Sequence, residues 1–176
     1  SIHFICSEDG LAMSPRRVTV STAGIAKMIR KLGDDQVKFN LALSLHAAND
    51  KKRSEIMEIN DSNNLETLRE ALVYFHEKTE ARITFEYILL SGFNDSMEDA
   101  AELARFARCV PCKINVIEYN PIEDGIFQKS NPEQTDQFVS FLTQKNLIVN
   151  VRRSRGKDID AACVQLANKT KLKSPI

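Results

Sequence analysis

Five short apolar segments alternate with stretches of helical periodicity along this chain, and that alternation limits the possible folds more than any other feature. RRVTV (16–20) runs into STAG, and IAKMIRKLG follows with apolar residues at helical spacing and Gly33 as its expected C-terminal stop. FNLALSL (39–45) is almost continuously apolar, as in a strand covered on both faces. After a polar stretch, Asn64 is the expected N-cap of a helix with Leu65, Leu68, Leu72 and Phe75 along one side. ITFEYILL (83–90) is a third strand, followed by a helix opened by a Ser96–Asp99 capping box. KINVIEYN (113–120) is the fourth, then a helix with Asn131 at the N-cap and Pro132 at the first position. LIVNVRR (147–153) is the fifth.

Regular alternation of this kind yields a parallel sheet with right-handed crossovers. A doubly wound sheet and a (β/α) barrel both satisfy it, and the polar residues discriminate between them. Ser21 and Thr22 follow VTV, Ser44 and His46 finish NLALSLHA, Glu86 lies in ITFEY, and Glu118 and Asn120 close INVIEYN. Polar groups in or after the later part of several strands suit the single catalytic rim of a barrel better than one switch-point crevice. Five strands cannot close an eight-stranded barrel, so the expected fold class is α/β with an open, partial (β/α) barrel. Its uncovered strand edge predicts self-association. Each rim residue also has a plain structural role open to it: Ser21 or Thr22 as a helix cap, His46 as a satisfied buried histidine, and Asn120 before Pro121 as a turn residue.

Composition narrows the function. The chain has 176 residues, 43% hydrophobic and 27% charged, with four cysteines and zero formal net charge. No apolar run reaches the ~20 residues that span a bilayer, which with the unpaired cysteine pattern predicts a reducing, cytoplasmic setting. Zero net charge argues against a general polyanion binder. The charge is uneven, however: Arg152 to Lys173 holds seven Lys/Arg against two Asp. That basic stretch leads to Cys163, and a thiol beside cations is the setting in which a thiolate forms. Cys109-Val-Pro-Cys112 invites a redox or metal role, but it follows a helix and precedes a strand. Thioredoxin-type chemistry needs a helix N-terminus, and zinc needs two further ligands; a structural role is expected.

Taken in order, VSTAGI, LALSLHAANDKKRSEI, TFEYILLSGFND, PCKINVIEYNP and VRRSRGKDIDAACVQLA resemble the radical-SAM RNA methyltransferases that act on adenine C2. The resemblance runs over nearly the whole chain and implies the partial barrel of that family. It implies S-adenosylmethionine (SAM) contacts at Ser21, at Ser44, Leu45 and His46, and at Asn120, and it implies that Cys163 is the cysteine that becomes methylated. Arg152, Arg153 and Arg155 are placed to favour its thiolate. Adenine C2 is electron-poor and does not attack a sulfonium methyl, so in such enzymes the thiolate first takes a methyl from SAM. A second SAM, cleaved at a [4Fe–4S] cluster, then generates the radical that activates the S-methyl group. The substrates so implied are 23S ribosomal RNA and, in some relatives, tRNA, with an electron donor for the cluster and a monomeric full-length enzyme.

The departures from the family pattern are also informative. No Cys-x3-Cys-x2-Cys spacing exists among Cys6, Cys109, Cys112 and Cys163. The Gly-Glu motif and the second, resolving cysteine are missing too, so this chain is expected to be the C-terminal portion of such an enzyme, with no metal ligand of its own and no turnover alone. Residues 1–150 then hold the later strands and helices of the barrel, and 151–176 the last strand and basic tail. Glu58 and Ile122-Glu123 stand where relatives tend to have Pro and Phe-Pro. Competing readings are a C8-specific enzyme of the same family, a cluster-free (β/α) nucleotide-binding protein, and an RNA-binding module working through its tail.

Overall fold

Each apolar segment forms a strand, and the five strands pair in parallel in sequence order. The structure, a computed structural model, describes residues 2–121 and 125–152. A short helix α1 (Ile2–Cys6) and a 3-10 turn (Pro15–Arg17) precede β1 (Thr19–Thr22) and α2 (Ala26–Asp34). There follow β2 (Asn40–Ser44), α3 (Asp50–Ile56), a 3-10 turn (Glu58–Asp61) and α4 (Leu65–Thr79). The chain continues through β3 (Ile83–Leu89), α5 (Met97–Ala107), β4 (Cys112–Glu118), α6 (Pro132–Gln144) and β5 (Ile148–Arg152). Cys163, Arg153, Arg155, Ile122 and Glu123 lie outside the described residues. No helix among those described is long and apolar enough to cross a membrane.

Alternation along the strands decides the architecture. Leu41, Leu43 and Leu45, then Ile83, Phe85, Tyr87 and Leu89, then Ile114 and Val116 join one core cluster with Ile29, Leu68, Leu72, Phe75, Leu103, Phe138 and Leu142. These partners come from α2, α4, α5 and α6, so all four helices cover the same face of the sheet. A doubly wound sheet would reverse its strand order and carry helices on both faces. Here the order runs in one direction, β1 to β5, with one helical layer, which is the winding of a barrel segment. The fold class expected from the sequence is the one observed.

The helix starts follow their caps. Asn64 accepts from Thr67 N–H (2.9 Å), Ser96 and Asp99 form a reciprocal capping box, and Asn131 accepts from Gln134 N–H (2.7 Å). Three local expectations need correction. Arg16 and Arg17 are in the 3-10 turn, not in β1, because Pro15 sets a helical φ at its start. The polar stretch after β2 folds into α3, whose N-cap Asn49 accepts from Lys52 N–H. Gly33 does not stop α2 but lies buried inside it, where a Cβ would stand 3.3 Å from Phe75 Cα and from the Tyr74 ring. It lets α2 and α4 approach, and the left-handed turn that ends the helix falls on Gln36 (φ 47°). Gly33→Val should therefore force the two helices apart and lower stability by about 1–3 kcal/mol in urea unfolding, whereas an exposed interior glycine would gain from the change.

Candidate cofactor site at the strand ends

The face opposite the helices carries the polar residues. Parallel register keeps paired residues on one side, so Ser44, Glu86, Asn115 and Asn150 form a continuous row across β2, β3, β4 and β5. Hydrogen bonds run along it: Asn150 Nδ2 donates to Asn115 Oδ1 (3.3 Å), and Asn115 Nδ2 donates to Glu86 Oε1 (2.8 Å). Glu86 is in the middle of β3 rather than at its end, but β3 is longer than β2, which brings it level with Ser44. Ser21, paired with Ala42, lies one strand further along on the same face. Beyond the row, Glu118 ends β4 and pairs with Lys129 (2.9 Å), and Asn120 follows two residues later.

Beyond the last sheet hydrogen bonds, strand ends present carbonyls with no ladder partner, and two buried side chains collect them here. Arg53 is fully buried; its guanidinium donates to Ala23 O (2.8 Å), Leu45 O (3.2 Å), Ser44 O (3.4 Å) and Asn60 Oδ1 (2.8 Å). Asn94, also fully buried, donates to His46 O (2.7 Å) and Ile88 O (2.8 Å) and accepts from Leu90 N–H (2.8 Å). The first ties β1 to β2, the second β2 to β3. Asp95 extends the series, accepting from Ser130 Oγ (2.7 Å) in the segment before α6.

The Ser44–His46 segment is fixed between these clamps. Leu45 sends its side chain into the core, and its N–H bonds to Glu86 O (3.0 Å), so it shapes the backbone rather than offering a side chain. His46 adopts a left-handed backbone (φ 58°) and its N–H also reaches Glu86 O (3.2 Å). Its Nδ1 accepts from Ile88 N–H (3.2 Å), which places the ring proton on Nε2. Burial, reinforced by the Arg53 charge, pushes its pKa down to about 4, so the ring is a neutral donor at physiological pH.

Sequence reasoning placed Ser21, Ser44, His46 and Asn120 at the C-terminal ends of their strands, and the structure brings them to that end. Thr22 Oγ1 accepts from Gly24 N–H (3.1 Å), and neither Thr22 nor Ser21 caps α2. Asn63 does so from a distant turn, accepting from Ala26 N–H (2.8 Å). Cys109 and Cys112 stand at the opposite end, Cys109 before β4 and Cys112 as its first residue. Burial raises their thiols to about 11 and about 12, and Cys112 donates to Ala107 O (3.3 Å). The row members Asn115 and Asn150 were missed although a signal existed, since each interrupts an apolar run at alternate positions. Arg53 and Asn94 carried no signal, being polar residues in polar stretches.

No family model matches the chain. A solved radical SAM methyltransferase from Sphaerobacter thermophilus superimposes with a TM-score of 0.86 at 38% identity, over 92% of this chain and 47% of that one. The fold is therefore that of the radical SAM methyltransferase barrel. The chain is 58% identical over 94% of its length to a probable dual-specificity RNA methyltransferase RlmN of Cytophaga hutchinsonii, covering 45% of it. It is 39% identical over 97% of its length to the dual-specificity RNA methyltransferase RlmN of Campylobacter jejuni, covering 48%. The chain belongs to the RlmN family and spans about half the length of the curated relatives it matches.

Two outcomes follow from the clamps. Arg53→Ala strands four acceptors and should cost about 3 kcal/mol or more in urea unfolding, with Arg53→Lys recovering only part because an ammonium lacks the fork that spans β1 and β2. His46 resists protonation in the native state, whereas the unfolded chain takes up the proton near 6.5. Its contribution is complete above that value and is lost as pH falls toward about 4. Between about pH 7 and pH 4 the parent should lose about 3 kcal/mol more than His46→Asn, which tolerates the left-handed backbone without titrating.

Proposed function

We propose that this chain is the portion of a radical-SAM adenine-C2 RNA methyltransferase that supplies the later barrel strands, the last of them β5 (Ile148–Arg152), followed by the basic tail with Cys163 as methyl carrier. The observation that best supports this is the meeting of Ser21, the Ser44–His46 segment and Asn120 at one end of a singly wound parallel sheet. The geometry also suits an adenosyl ligand: a row of hydroxyl, carboxylate and amide groups borders the small Ala42, and one buried carboxylate oxygen of Glu86 has no hydrogen-bond partner.

SAM, when bound, supplies the methyl group and, with a [4Fe–4S] cluster, the radical chemistry. Among the described residues, no group of three or more His, Cys, Asp or Glu could hold a metal ion. In this reading Ser21, Ser44 and Asn120 orient the cofactor and Leu45 shapes the backbone beside it. His46 offers the neutral Nε2–H as a donor, and the Arg53 and Asn94 clamps keep these groups in register. Cys163 is the residue that would carry the transferred methyl group, for which its sulfur would have to be thiolate. The adenine must be unstacked to reach it. The substrates are 23S ribosomal RNA and tRNA, served by a cytoplasmic, monomeric full-length enzyme and an electron donor.

The test uses the full-length protein from cells. One extra methyl should be found on the peptide containing Cys163, and Cys163→Ala should lose both that mass and RNA adenine methylation. Normal methylation by the variant ends the proposal.

A further inference from the structure

Glu86 is the unusual residue of the row. Its Oε1 is satisfied by Asn115 Nδ2 at 2.8 Å, whereas Oε2 is buried and accepts no hydrogen bond. The side chain is 15% exposed, and the Arg152 guanidinium comes to 3.7 Å of Oε2, near enough for ionic attraction but beyond hydrogen-bonding distance. A carboxylate oxygen left in this condition costs free energy unless a donor reaches it. The donor must come from the helix-free side, since Ser44 and Asn115 flank Glu86 on the two neighbouring strands.

The surroundings select the kind of donor. Arg152 already provides positive charge beside Oε2, so a second cation, whether sulfonium or ammonium, would meet repulsion there. A neutral hydroxyl would not, and a carboxylate hydrogen-bonded on one oxygen by an amide is well suited to accept from a sugar hydroxyl on the other. We propose that Glu86, held by Asn115, is the acceptor for a ribose hydroxyl of the adenosyl ligand and so makes the site selective for ribose over deoxyribose. The proposal rests on the cofactor reading above and names the residue that reads the sugar. Asn115 acts as a positioning residue: its amide nitrogen fixes the carboxylate and its amide oxygen is held by Asn150 Nδ2.

The experiment is calorimetric titration of the full-length protein with S-adenosylhomocysteine and with its 2′-deoxy and 3′-deoxy ribose analogues. A hydrogen bond to a charged acceptor corresponds to roughly a 10- to 100-fold difference in Kd. The parent should bind one deoxy analogue weaker than S-adenosylhomocysteine by that factor, and Glu86→Gln, checked for an intact fold by its melting curve, should bring the ligands to within about threefold of one another. Should Glu86→Gln fail to fold, the analogue series on the parent still decides. Discrimination unchanged in a folded Glu86→Gln, or a parent indifferent to both hydroxyls, overturns the role of Glu86 and leaves the cofactor reading standing. A parent that binds no S-adenosylhomocysteine at all overturns both.

Discussion

The carbonyls that leave the ends of β1 and β2 would be unsatisfied in a sheet this short, and one fully buried guanidinium gathers them. Arginine is fitted to the task because its five donors diverge in a plane and it stays charged when buried. Burial lowers its pKa, and the nearby Asp50 carboxylate opposes that shift. Asp50 is itself occupied, accepting from Leu65 N–H (2.9 Å) and Asn60 Nδ2 (3.0 Å), so the charge balance is built into the start of α4. The clamp also dictates its neighbour: Gly24 has φ 105°, and a Cβ there would stand 3.0 Å from Arg53 Nη2. A glycine is needed both for that backbone and for the close approach.

The two faces of each strand are thereby given different work. Toward the helices, Leu, Ile and Phe bury nearly all their surface and supply the hydrophobic stabilisation. Away from them, the row from Ser44 to Asn150 contributes little apolar burial and is held in place by side-chain hydrogen bonds. Within the row Glu86, Asn115 and Asn150 are linked to one another, and Glu86 Oε2 is left buried without a hydrogen-bond partner. A parallel sheet with one helical layer makes this division available, since the second face need not form a core.

Much of the fold was legible because it rests on period and caps. Asn64, Ser96 and Asn131 announced three helices from the residue types that satisfy free N–H groups. Gly33 misled because its residue type does not say whether it is needed for a left-handed turn or for close packing; only α4 lying across it decides. The site was legible in outline, since polar residues after apolar strands converge in any barrel-like winding. Its support was not. Arg53 reaches four acceptors drawn from three segments, and Asn94 connects His46 to Ile88 across sequence separations of 48 and 6. Neither pattern has a period or a local partner to betray it.

Environment, rather than motif, separates the cysteines. The Cys109–Cys112 spacing looks reactive on paper, yet burial raises both thiols well above their ordinary value. A thiol that must act as a nucleophile needs the opposite conditions, access and nearby positive charge, and of the four cysteines only Cys163 follows a run of four Lys/Arg in six positions (152–157). Arg152, the last residue of β5, is already drawn toward Glu86. If Glu86 reads the cofactor's sugar, Arg152 is the cation that keeps a second positive charge away from that end of the row.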